Sequence, residues 1–161
     1  TFFTKYLLKR LLLLHVMKLE AEIKSTKPMQ PRERAVVNLL FTASWLDCRI
    51  TRILRPHGLT PPQYNILRIL NGSYPKGLSV LDIKNRMLDR SSNVSRLVEK
   101  LRIAGLAERI QHDGDRRMVT VTISESGRKM LSDINLPDPG SAMTEAEMLE
   151  LSHLLDRFRE Q

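Results

Sequence analysis

Residues 79–124, SVLDIKNRMLDRSSNVSRLVEKLRIAGLAERIQHDGDRRMVTVTIS, change their hydrophobic period in mid-course, and that change decides the fold. Ser79 and Asp82 stand at capping-box spacing ahead of a short apolar run, so a helix is expected to begin near residue 80. Only DRSS separates it from a second helical pattern, about Ser92 to Ala104, in which Val94, Leu97, Val98 and Leu101 recur at i, i+3, i+4 and i+7. Two short helices joined by a tight polar turn read as a helix-turn-helix. Gly105 suits the end of the second helix. LAERIQH and MVTVTIS then read as two strands, because Val119, Val121 and Ile123 alternate with Thr120 and Thr122. Between them Asp113 to Arg117 supply an Asp-Gly turn and two adjacent arginines at a hairpin tip. A helix-turn-helix followed at once by a hairpin is a winged helix, so the expected fold class is mainly α with a small β-hairpin wing.

Further helices lie on both sides. Thr60, Pro61 and Gln63 form a capped start near residue 61, with Leu59 and Tyr64 at the spacing of a hydrophobic staple. Ser124 caps ESGRKMLSDIN, which LPDPG ends. Thr144 and Glu147 head a last helix, about Glu145 to Arg159, with Met148, Leu151, Leu155 and Phe158 in period. Upstream, about Glu33 to Arg55 has neither proline nor glycine and carries two apolar stripes. Val36, Leu40, Ala43, Ile50 and Leu54 form one; Val37, Phe41, Trp45 and Cys48 form the other. Two stripes imply a helix buried on more than one side, and so a partner subunit.

The charge distribution points to an anionic partner. The chain carries a formal net charge of +8, and residues 84–117 hold nine Lys or Arg against five Asp or Glu, a local excess of four. A helix of this width fits the major groove of double-stranded DNA, and Ser91, Ser92, Asn93, Ser95, Arg96 and Lys100 are short polar or basic side chains suited to base edges and phosphates. A turn carrying Arg116 and Arg117 beyond the body of the domain suits the narrow minor groove, with Asp115 holding an arginine in place.

Other chemistries find little footing. One cysteine and four scattered histidines make no cluster at zinc-ligand spacing, so neither a metal nor another cofactor is expected. No nucleophile, base and orienting group assemble, and there is no glycine-rich phosphate loop, so the chain does not read as an enzyme. A lone cysteine excludes an internal disulfide and makes the cytoplasm the default. Lys5, Lys9 and Arg10 ahead of Leu11 to Leu14 mimic a signal peptide, but the apolar run is too short to span a bilayer and no small-residue cleavage site follows. No membrane association is expected; residues 1–16 read as an extra helix on the domain or as sequence upstream of a start at Met17, without which the formal charge falls from +8 to +5.

Residues 79–131 resemble the winged-helix core of the multiple-antibiotic-resistance regulator (MarR) family, with its Asp-Arg-Arg wing and the glycine-containing helix start after it. GLTPPQYNILRIL resembles the family's second helix and MTEAEMLELSHLLDRFR its C-terminal dimer helix, so the likeness extends over about residues 33–160. The resemblance implies a homodimeric transcription regulator, usually a repressor, that binds a pseudo-palindromic operator and is released by a small ligand or an oxidant. It implies that Arg117 is the minor-groove arginine, Asp115 its wing-stabilising partner, and Ser91 to Arg96 the major-groove face. It divides the chain into an N-terminal extension (1–32), a dimerisation helix (33–58), the winged helix-turn-helix (59–135) and a C-terminal dimerisation helix (141–161). An effector, a phenolic compound for example, is expected near Trp45, Arg49, His57 and Tyr64. Cys48 is the redox candidate, although its place on the Trp45 stripe favours a buried, inert thiol. Gly114 stands where the family often has another arginine, and LPDPG interrupts a helix that is frequently long. The alternative is a winged helix that binds protein instead of DNA, which predicts no electropositive strip across recognition helix and wing.

Overall fold

The computed structural model describes residues 18–160 except 113, 114, 137 and 139, and it describes the backbone but not the side chains of 111, 112 and 115–119. The readings of residues 1–16 therefore lie outside the described residues. The elements are α1 (Leu19–Glu22), α2 (Pro31–Leu54), a 3-10 turn (Arg55–His57), α3 (Pro61–Ser73), α4 (Val80–Arg86), α5 (Val94–Ile103), β1 (Ala107–His112), β2 (Asp115–Ile123), α6 (Glu125–Asp133) and α7 (Glu145–Arg159). The fold is mainly helical, with β1 and β2 as an antiparallel wing.

Local chemistry accounts for the helix starts. The Thr60 N–H and hydroxyl both donate to Gln63 Oε1, at 3.0 and 2.9 Å, and the staple residues Leu59 and Tyr64 are buried. At α4 the Asp82 N–H donates to Ser79 Oγ at 3.1 Å while the Ser79 hydroxyl returns a bond to Asp82 Oδ2 at 2.6 Å. Thr144 and Glu147 repeat the arrangement at α7. The second helix of the motif starts later than its apolar period suggests. Asn93 Oδ1 accepts the Arg96 N–H at 3.2 Å, which makes Asn93 the cap and leaves Ser92 in the turn.

The chain forms two compact units, residues 1–45 and 46–161. In the first, Leu19 is buried and Arg34 grips Glu20 through Nε at 2.5 Å and Nη2 at 3.5 Å. In the second, Leu54, Ile66, Leu67, Leu70, Ile83, Val98, Leu101 and Val121 form the fully buried centre of a core drawn from every element of the motif. Each such side chain contributes about 1.5–3 kcal/mol by leaving water. Ala107 lies opposite Ile123 and Arg109 opposite Val121, which turns the Val121 and Ile123 face of the wing onto that core. The register slips between Gln111 and His112, so His112 pairs with Asp115 and the strand runs three residues beyond the expected start at Met118. Leu78 adds a single bridge to Val121, its N–H donating to the Val121 carbonyl at 2.9 Å and its carbonyl accepting at 2.8 Å.

Two stretches expected to be buried are exposed. Val36, Leu40 and Trp45 of α2 and every residue of α7 other than half-buried Leu155 are exposed. Cys48 is likewise exposed, which corrects the expectation of a buried thiol: the stripe on which it lies is covered only in part, with Val37 and Phe41 half-buried and Trp45 open.

Candidate nucleic-acid interface

The turn before α5 is held by two acceptor side chains. Asn65 Oδ1, from α3, accepts the Leu88 N–H at 3.0 Å. Asp89 Oδ1 accepts the Ser91 N–H at 2.9 Å and the Ser91 hydroxyl at 2.6 Å, and Oδ2 accepts the Ser92 hydroxyl at 2.7 Å. These bonds, that of the Ser91 hydroxyl foremost, favour the ionised acid and hold the Asp89 carboxyl below the usual carboxylate range. Ser91 and Ser92 thus spend their hydroxyl protons on building the turn. Asn93 spends its carbonyl oxygen on capping α5.

Beyond the cap, Ser95, Arg96 and Lys100 are exposed on α5, whose other side buries Val94, Val98 and Leu101. Glu99 is the acid of this helix, and it is neutralised locally by Arg102 at 2.8 Å, with Arg109 of β1 at 4.0 Å. The Arg102 hydrogen bond holds the Glu99 carboxyl below its ordinary range. The guanidinium of Arg96 and the ammonium of Lys100 have no ion-pair or hydrogen-bond partner among the described residues, and the same is true of Arg90, an exposed turn cation that sequence reading passed over.

Asp115, Arg116 and Arg117 are the first three residues of β2, and their side chains lie outside the described residues. The root of the wing is well defined. Gly105 takes a left-handed φ of 71° at the end of α5, a conformation that favours glycine. The buried Ser124 hydroxyl donates to the Gly105 carbonyl at 2.7 Å and accepts the Gly127 N–H at 3.0 Å. Gly127 lets α6 approach closely, since a Cβ there would overlap the Leu106 carbonyl oxygen and sit 2.8 Å from Ile123 Cγ1. One serine therefore ties the recognition helix, the wing and α6 together.

The order helix, tight turn, recognition helix and bridged hairpin is matched in known proteins. The model for the MarR family matches residues 57–118. The chain carries a MarR-family winged helix. Over 107 residues it is 31% identical to the HTH-type transcriptional regulator TtmR of Methylorubrum extorquens (strain PA1), a match covering 66% of this chain and 54% of that protein, so the chain spans about half the length of this relative. The crystal structure of a MarR transcription factor from Planctomyces limnophilus is 26% identical, with a TM-score of 0.59 over 83% of this chain and 96% of that one. BpsR of Bordetella bronchiseptica, whose DNA binding is regulated by 6-hydroxynicotinic acid, shares the fold at 20% identity and a TM-score of 0.67, over 84% and 99% of the two chains. Family and fold are those of transcription regulators.

Within the MarR-family lobe a cavity of about 640 Å³ opens beside the turn, lined by Asp47, Ile50, Pro61, Pro62, Tyr64, Asn65, Arg68, Met87, Leu88, Asp89 and Leu136. Of the four residues expected near an effector, Tyr64 lines it, and Arg68 donates to the Tyr64 hydroxyl at 3.3 Å. Trp45 lines a smaller groove in the first unit with Leu19, Glu22, Asn38, Phe41 and Thr42. Arg49 is exposed and His57 half-buried, and neither lines the larger cavity. Asn65, Arg68 and Asp89 carry no sequence signal as lining residues, because they meet only when α3 and the turn pack together. Among the described residues no group of His, Cys, Asp or Glu is placed to hold a metal ion, and no helix is long and apolar enough to cross a membrane.

Proposed function

We propose that the chain is a homodimeric DNA-binding repressor that reads a pseudo-palindromic operator and is released by a small ligand or an oxidant. The observation that carries this reading is the exposed, unpaired cationic pair Arg96 and Lys100 on a helix whose entry turn and exit are both fixed by side-chain hydrogen bonds. Ser91, Ser92, Asn93, Ser95, Arg96 and Lys100 face the major groove; Arg117 probes the minor groove, Asp115 holds it and Arg116 meets a phosphate. The amide nitrogen of Asn93 and the backbone at the start of α5 supply donors that the serine hydroxyls have committed elsewhere. The uncovered apolar faces of α2 and α7 are the dimerisation surfaces of residues 33–58 and 141–161. The 640 Å³ cavity is the effector site, as the regulation of BpsR by 6-hydroxynicotinic acid encourages, and exposed Cys48 is the candidate for oxidation. Its DNA partner assigns the protein to the cytoplasm.

The test is selection of genomic fragments by the purified chain at low salt. Selected fragments should share a two-fold related motif, and Arg96→Ala should cost about 1–3 kcal/mol of affinity while relaxing the preference at one position of each half-site. Retention of no fragment at low salt would overturn the reading.

A further inference from the structure

The cavity and the turn before the recognition helix share two residues. Asn65 and Asp89 both line the cavity, and the same two side chains hold Leu88, Ser91 and Ser92 through four hydrogen bonds of 2.6–3.0 Å. Little else secures this stretch. Leu88 is 90% exposed, and Asp89, Arg90 and Ser91 are exposed as well. The turn therefore rests on two acceptors more than on packing. The remaining lining is largely apolar, with Ile50, Pro61, Pro62, Met87, Leu88 and Leu136 as its walls.

We infer that this cavity takes an apolar small molecule bearing a hydrogen-bond donor, a hydroxyl or an ammonium, and that Asn65 and Asp89 carry its arrival to α5. The inference rests on the DNA-binding reading above and specifies how that binding is regulated. Asp89 Oδ1 already accepts two bonds, which uses both of its lone pairs. A donor bonding to it from the cavity displaces the Ser91 N–H or hydroxyl, and one bonding to Oδ2 draws the carboxylate away from both serines. Bonds to an ionised acceptor are the strong ones, so an incoming donor competes well. Asn65 offers the same choice at Leu88. A molecule that fills the apolar walls without a donor leaves all four bonds in place. Asp89 is thus a positioning residue, acting on DNA through Ser91, Ser92 and the entry to α5. Linkage then requires DNA to weaken the molecule's binding by the factor by which the molecule weakens DNA binding.

Three probes of similar shape separate these terms: para-propylphenol, para-propylbenzylamine and para-propylanisole, of which the ether alone has no donor. Binding is followed by calorimetry, the turn by the Leu88 and Ser91 amide resonances of the free protein, and DNA affinity with a fragment retained in the selection. The phenol, the amine or both should shift those amides and, at saturation, lower DNA affinity about tenfold, whereas the ether binds and changes it by less than about twofold. In Asp89→Asn, which keeps one acceptor oxygen and loses the charge, the effect of the donor-bearing probe should fall below about threefold. The inference is overturned if no probe binds, if the ether acts like its donor-bearing partners, or if Asp89→Asn responds as the parent does. Amide shifts with the donor-bearing probes in a protein that retains no DNA would instead keep the coupling and overturn the DNA-binding reading.

Discussion

Asp89 commits its carboxylate to three donors within three residues of itself, and this sets a pH dependence. The bonds favour the ionised form, so the folded-state pKa lies below the unfolded one. Their stabilisation is present above the unfolded pKa, near 4, and is lost as pH falls through the folded value. Protection of the Ser91 amide from hydrogen exchange should therefore hold at mildly acidic pH, drop below about pH 4, and lose that acid step in Asp89→Asn. Ser124 sets stability instead. Ser124→Ala removes the bond to the Gly105 carbonyl and the cap on Gly127 together, and should cost about 1–2 kcal/mol in urea unfolding with an unchanged slope. A loss under about 0.5 kcal/mol would place the junction's strength elsewhere, in packing around Gly127. The capping role of Ser124 is legible in sequence because caps are local. Its bond to a residue 19 positions earlier is not, since no periodicity encodes the meeting of α5 with the wing root.

Element boundaries were legible where a side chain terminates the element and obscure where a neighbour does. Thr60 with Gln63, Ser79 with Asp82 and Thr144 with Glu147 mark the starts of α3, α4 and α7 at the expected residues. The start of β2 follows a register slip, and the Leu78 bridge depends on a partner over forty residues away, so neither had a local signal. Tyr64 was found as a cavity residue because it sits on a staple, while its polar neighbours Asn65 and Asp89 come from separate elements. α7 poses an energetic problem of its own. A helix of 15 residues is marginal in water by itself, yet none of its residues is buried, and Leu149, Leu154 and Phe158 are more than half exposed. Its cap and the Arg159–Asp156 pair are exposed and do not replace a packed face. A second copy supplying that face accounts for the helix. Sedimentation should then show a dimer for the parent chain at micromolar concentration and a monomer for the double variant Leu151→Lys, Leu154→Lys, in which two cations sit on the apolar side. A variant that remains dimeric would move the interface away from α7.

At the scale of the molecule, charge and assembly become one measurement. Half of the formal charge lies within residues 84–117, and Glu99 is screened by Arg102 and Arg109, so the face around Arg96 and Lys100 remains cationic despite the acid in its helix. Phosphates neutralised by such a face release counterions, and the logarithm of affinity falls with the logarithm of salt by about 0.9 for each. A two-fold assembly makes every contact twice. Lys100→Ala should therefore reduce the slope by about 1.8, one phosphate from each protomer, whereas a chain bound as a monomer should lose about 0.9. The same titration on Arg90→Ala asks whether the turn cation that sequence reading passed over belongs to the interface, with an unchanged slope excluding it. Combined with the α7 double variant, the titration separates two failures. A monomer that keeps half of the parent's slope still binds DNA through each winged helix, and its lost affinity measures what dimerisation adds. A monomer whose slope vanishes shows that α5 and the wing reach phosphate only when a partner subunit holds both lobes at the spacing of the two half-sites.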